Sequence, residues 1–111
     1  MPWFAIRTVY HFGVKDNGTD VFEERVVCFE AASWDEAHDK AHEESERYAR
    51  EGEVEAHPAQ EGYELDDGAL IDGHEVWSVL FEARQTLEEF YATRYSAYEY
   101  TPDPYPPETG G

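Results

Sequence analysis

The sequence predicts an α+β fold: a four- or five-stranded, mostly antiparallel sheet with two helices packed on one face, in ββαββα order. Three observations lead there. Two β-branched and aromatic runs, residues 3–12 and 21–31, flank an Asn17-Gly18 turn signal. The spacing of apolar residues then changes to helical from Ser33 to about Gly52. A further strand-like run at 75–81 precedes a second stretch of helical spacing at 83–98.

In the first strand, Phe4, Ile6, Thr8, Tyr10 and Phe12 form the more apolar alternate face and should look into the core. Residues 15–20 turn the chain, with Asn-Gly supplying positive backbone angles. On the returning strand neither face is purely apolar, which predicts partial exposure on both sides or a bulge. Cys28 sits in the apolar run Val26-Val27-Cys28-Phe29, so it reads as a small buried residue.

Ser33 and Glu36 fit a capping box, in which hydroxyl and carboxylate satisfy free backbone donors at a helix start. Trp34, Ala37, Ala41, Ser45 and Tyr48 then share one face at spacings of three and four, and Gly52 can end the helix. Residues 52–60 are polar and contain His57-Pro58, which predicts a loop. Residues 61–65 and 69–72 read as one broken strand or two short ones, with a turn at Gly73-His74. The organisation expected is a single domain over residues 1–100, followed by a Pro/Gly-rich flexible tail at 101–111.

The 111 residues include 26 acidic and 8 basic side chains, a formal charge of −18. Such a polyanion repels phosphates, so neither direct nucleic-acid binding nor attachment to an anionic membrane is expected. At 41% hydrophobic and 15% aromatic the chain is too apolar for a disordered acidic tail. One cysteine and an opening without a basic stretch before an apolar core predict a cytoplasmic protein. With only two lysines, the composition also serves plain solubility in high salt.

The order Trp3-Phe4-Ala5-Ile6-Arg7, Glu23-Glu24-Arg25-Val26, Ser33-Trp34-Asp35-Glu36-Ala37 and Glu75-Val76-Trp77-Ser78 resembles a small bacterial family, domain of unknown function 4288. The similarity is expected over residues 3–81. Two departures are the acidity of residues 52–65 and an extension over 83–111. The resemblance implies a compact α+β domain in a bacterial-type cytoplasm and carries no catalytic residues.

Charge is unevenly placed. Between Arg50 and Arg84 lie 33 residues without a single Lys or Arg, yet with ten acids. Two like charges about 4 Å apart repel by about 1 kcal/mol even in water, so solvent or a cationic partner must compensate. The partner-binding residues expected are Glu51, Glu53, Glu55, Glu61, Glu64, Asp66, Asp67 and Asp72. The partner would be a basic protein: a toxin, a nuclease or a nucleic-acid-binding protein blocked by carboxylates spaced like phosphates. The function expected is a small non-enzymatic binding or inhibitor protein of immunity or defence type. The rival is a self-associating structural or adaptor protein whose acidity serves solubility. It would oligomerise through an exposed sheet edge and the tyrosines Tyr95, Tyr100 and Tyr105.

Other constellations carry less. His38 and His42, four apart on the first helix, have metal-ligand spacing, with Asp39 or Glu46 as oxygen donors. No third ligand is fixed and H-E-x-x-H is absent, so a solvated helix face is expected, with no metal or cofactor. The Asp16–Asp20 and Asp66-Asp67-Gly68 segments lack calcium-loop spacing and read as turns. No ordering of nucleophile, base and acid is diagnostic, and no enzymatic activity is expected.

Overall fold

A computed structural model describes residues 1–65, 72–73 and 75–102. The chain divides into two units, Met1–Val79 and Leu80–Gly111. In the first unit, β1 (Trp3–Val14), β2 (Asp20–Glu30), α1 (Trp34–Gly52) and β3 (Glu55–Leu65) form one antiparallel three-stranded sheet with a helix across it. The strand order is β2-β1-β3, so β1 is central and β2 and β3 run parallel to each other on either side of it. α1 connects these two outer strands, which requires it to cross the sheet.

The hairpin forms where the Asn-Gly signal lies, though only Gly18 takes a positive φ, 86°. Asn17 remains outside that region and instead accepts from the Thr19 N–H through its side chain (3.0 Å). Ser33 caps α1, accepting from the Glu36 N–H (3.2 Å), while Glu36 reaches back to the Ala32 N–H (3.2 Å). The helix ends one residue later than its glycine predicts. Glu53, not Gly52, adopts the left-handed conformation (φ 54°, ψ 43°) and returns its N–H to the last carbonyls.

Phe4, Ile6, Ala31, Ala37 and Ala41 form the apolar core, with Phe29 packed against it. Thr8, Tyr10 and Ser45 are buried beside it. This is the face predicted for β1, except that Phe12 is 47% exposed where the register shifts between His11 and Gly13. Cys28 is exposed, contrary to expectation. It pairs across from Ala5, on the face turned away from α1.

The expected strand count and order do not hold. The segment read as a loop, 52–60, supplies most of β3, and Pro58 falls where the β1–β3 register slips between Thr8 and Tyr10. Proline lacks a ladder donor, so an irregular edge strand can hold it and a central one cannot. Conversely, residues 75–83 form neither helix nor strand. They pair with none of the three strands, and β-propensity without a ladder partner does not make a strand. Among the described residues the order of strands and α-helices is therefore ββαβα. Residues 69–71, His74 and 103–111 lie outside the described residues.

In the second unit, α2 (Leu87–Arg94) is shorter than the predicted 83–98 helix, because Thr86 caps it by accepting from the Glu89 N–H (3.2 Å). A 3-10 turn, Ser96–Tyr98, follows. Neither element has a buried residue, and within the unit Phe81 meets Phe90 at 5.5 Å between ring centroids. No helix among the described residues is long and apolar enough to cross a membrane.

Candidate functional site

Five of the expected acidic residues, Glu51, Glu53, Glu55, Glu61 and Glu64, fall along one margin of the first unit. Glu51 lies in the last turn of α1, Glu53 is its left-handed cap, and Glu55 begins β3, all three exposed. Glu61 and Glu64 stand further along the same strand, also exposed. With a rise of about 3.3 Å per residue, Glu55 and Glu64 are about 30 Å apart along this edge. They do not share a face. Glu64 pairs with Phe4 on the side of α1, whereas Glu61 pairs with Arg7 on the open side. Asp72 is exposed in a turn, and Asp66 and Asp67 lie outside the described residues.

Among the described residues of this set, Glu61 is the one in a salt bridge. Arg7 Nη2 approaches its carboxylate at 3.1 Å, and Nη1 approaches Glu24 on β2 at 3.6 Å. Three neighbouring strands thus share one guanidinium. The rim left for an outside cation comprises Glu51, Glu53, Glu55 and Glu64, reached without crossing a Lys or Arg in sequence.

A second polar group was not foreseen from sequence. On the face under α1, Arg25 of β2 donates through Nη1 to both carboxylate oxygens of Glu44, 2.7 Å to Oε2. Its guanidinium carbon lies 3.8 Å from the centre of the Tyr48 ring, a cation–π contact. Tyr48 donates its hydroxyl to Glu23 (2.7 Å) and meets Tyr10 edge-on at 4.9 Å. Tyr10 donates to Ser45 (3.2 Å), and Gln60 donates to Thr8 (2.8 Å). The interface between helix and sheet is therefore apolar at the Phe4 end and hydrogen-bonded at the Tyr10 end.

Two acidities respond to this packing. Burial by itself lowers the pKa of Arg25, but the hydrogen bond and charge of Glu44, with a contribution from Tyr10, outweigh it and raise the pKa above its ordinary value. Tyr48 is raised by its hydrogen bond to Glu23, then by desolvation and the Glu23 charge, with Arg25 opposing. These pairs hold α1 to β2 and keep each charge matched. The sequence signal was present as two spacings, Glu23 with Arg25 at i,i+2 on a strand and Glu44 with Tyr48 at i,i+4 on a helix. Nothing in sequence alone sets those two pairs against each other.

The remaining candidates are separate. The His38 ring stacks on Trp34 at 5.9 Å. Among the described residues no three His, Cys, Asp or Glu side chains converge on a metal position. His11 bonds Asp20 at 2.8 Å across the hairpin. Tyr95 and Tyr100 are exposed in the second unit, where Tyr95 contacts Tyr91 (5.3 Å), while Tyr105 lies outside the described residues. Phe90 is half-buried there, but Tyr91 and Tyr98 are exposed.

Compared with known proteins, residues 3–66 match a family described only as a domain of unknown function (DUF4288). The match begins with β1 and ends just beyond β3, so it covers the whole sheet and α1. It stops short of the Glu75-Val76-Trp77-Ser78 segment that the sequence resemblance included. No curated protein and no solved structure matches the chain.

Proposed function

The chain belongs to the DUF4288 family, and we propose that it works as a small non-enzymatic docking protein that engages a basic macromolecular partner through the acidic β3 margin. The observation that supports this most directly is the exposure of Glu51, Glu53, Glu55 and Glu64 along one sheet edge and the adjoining helix end. Carboxylates spread over about 30 Å, with no Lys or Arg on β3 itself and Arg7 engaged by Glu61 and Glu24 part-way along, present a negative strip of the length of a protein interface or a groove that binds phosphates. Neutralisation of a basic toxin or nuclease, in the manner of an immunity protein, is the most concrete form of this reading.

Its test is recovery of a basic protein from the native cell on the immobilised full chain, followed by affinity measurement with the purified partner. Reversal at Glu53→Lys, Glu55→Lys and Glu64→Lys should abolish capture, and added salt should weaken it. Reversal at Glu43→Lys and Glu46→Lys, on the solvent side of α1, serves as the control and should leave most of the affinity in place. Equal loss from both sets would mean that bulk charge, and not the margin, does the binding.

A further inference from the structure

We propose that two copies of this chain pair through the outer edges of β2, antiparallel and in a register centred on Val26, making one sheet continuous across both copies. This goes beyond the docking reading, which concerns the opposite edge, β3.

The backbone sets the geometry. Ala31 donates its N–H to the Pro2 carbonyl (3.1 Å), which makes the adjacent Trp3–Glu30 pair one of the rungs without its own hydrogen bonds. By alternation Ala5–Cys28, Arg7–Val26, Val9–Glu24 and His11–Phe22 are rungs of the same kind, because the register is unbroken over this length. The N–H and C=O groups of Phe22, Glu24, Val26, Cys28 and Glu30 therefore point away from β1. Lys40 agrees with this orientation, reaching from α1 to donate to the Glu30 carbonyl (2.6 Å). Among the described residues no strand pairs with this side of β2.

The two sheet edges are protected very differently. β3 contains Pro58, Gly62 and a register slip. β2, DVFEERVVCFE, has no proline, glycine or lysine over its length. Those are among the devices that keep an edge from recruiting another strand; on β2 that part falls to charged side chains and, at the Glu30 end, to Lys40. Phe22 and Val26 are also 65% and 45% exposed, leaving apolar surface beside the outward backbone groups.

The charges along β2 admit a second copy and select its register. Complete antiparallel overlap of two β2 strands would set Arg25 against the second copy's Arg25. Centring on Glu24 opposes two glutamates, and centring on Val27 opposes Glu24 to Glu30. Centring on Cys28 avoids like charges but shortens the overlap. Centred on Val26, the strands overlap from Phe22 to Glu30 with no like charges directly opposed. Val26 then faces Val26, Glu24 faces Cys28 and Phe22 faces Glu30 on the open side. Arg25 faces Val27 and Glu23 faces Phe29 on the side of α1. Each outward pair contributes two backbone hydrogen bonds, about ten in all.

Sedimentation equilibrium of the full chain tests this. A concentration-dependent dimer is expected, and it should tighten several-fold with added salt, since screening relieves repulsion between two chains of charge −18. A basic partner on the acidic margin responds to salt in the opposite sense, so the two proposals fail separately. Val26→Lys should leave only monomer. So should Val26→Pro, whose lost N–H points outward, with the helical and strand signals in circular dichroism unchanged. Mild oxidation of Glu24→Cys should link that residue to the second copy's Cys28, because facing α-carbons about 5.5 Å apart suit a disulfide. The unmodified chain should not cross-link, its two Cys28 residues standing about 14 Å apart in this register. Monomer at every concentration, a dimer indifferent to both Val26 variants, failure of Glu24→Cys to cross-link, or cross-linking through Cys28 alone would each overturn the proposal.

Discussion

Gly62 on β3 lies beneath the indole of Trp34, the first residue of α1, so closely that a Cβ at position 62 would overlap the ring. The same indole meets Phe4 edge-on, 4.6 Å between centroids. Gly62 pairs with Ile6, and Phe4 and Ile6 belong to the apolar core. Trp34 thus lies over two neighbouring strands and fixes where the helix begins. Gly62→Ala should cost about 1–3 kcal/mol in urea unfolding, the usual penalty for overpacking. A double variant that also carries Trp34→Leu should recover part of that loss relative to Trp34→Leu alone. Equal costs in the two backgrounds would show that the ring does not make glycine necessary.

Arg25 and Glu44 form a part-buried pair whose removal should be asymmetric. Glu44→Ala leaves the guanidinium without its carboxylate and should destabilise by about 1–2 kcal/mol, the lower part of the range for hydrogen bonds to charged groups because both residues retain some solvent. Replacing both, as Arg25→Met with Glu44→Leu, should cost less than Glu44→Ala alone, since no charge is then left unmatched. A double-mutant cycle in urea measures the difference.

Tyr48 imposes a pH dependence with a definite sign. The folded protein raises its pKa, chiefly through the bond to Glu23, so folding favours the protonated phenol. The resulting stability is fully present below the unfolded value of about 10 and is lost as pH rises through the folded value. Chemical denaturation at successive alkaline pH values should show a falling stability that Tyr48→Phe flattens. An identical slope in the variant would assign that dependence to other groups.

What could be read from sequence follows from where burial is apolar. β1, the hairpin turn, the Ser33 cap and the Ala37–Ala41–Ser45 face were legible because each leaves a local spacing or a capping pair. Residues 61–65 were read as strand, but the 55–60 part of β3 was hidden because the strand's side toward α1 is Ala56, Gln60, Gly62 and Glu64, a set with no hydrophobic alternation. Those residues face a glycine-dependent contact and the hydrogen-bonded end of the core, which mimic the composition of a loop. Residues 75–81 erred the other way. Their alternation is genuine, but it records only which side chains are apolar, and whether the backbone groups find a ladder partner leaves no mark in local spacing. The acidic margin was legible as charge and not as geometry, since only β3 pairing sends Glu61 to Arg7 and Glu64 to the opposite face.

Glu53 separates stability from docking. It holds a left-handed conformation that glycine adopts without a Cβ penalty, and the strain on another residue there is about 1 kcal/mol. Glu53→Gly should therefore raise the unfolding free energy by about 0.5–1 kcal/mol, after part of the gain is offset by the greater freedom of glycine in the unfolded chain. The same change removes one carboxylate from the proposed margin and should weaken a basic partner, with a smaller salt dependence than the unaltered chain. Asn tolerates this backbone conformation better than most side chains and is uncharged, so Glu53→Asn should also weaken docking with little change in stability. Stability measured by urea and affinity measured against salt should therefore move in opposite directions for Glu53→Gly. If affinity is unchanged while stability rises, Glu53 is a strained cap and no part of the docking surface.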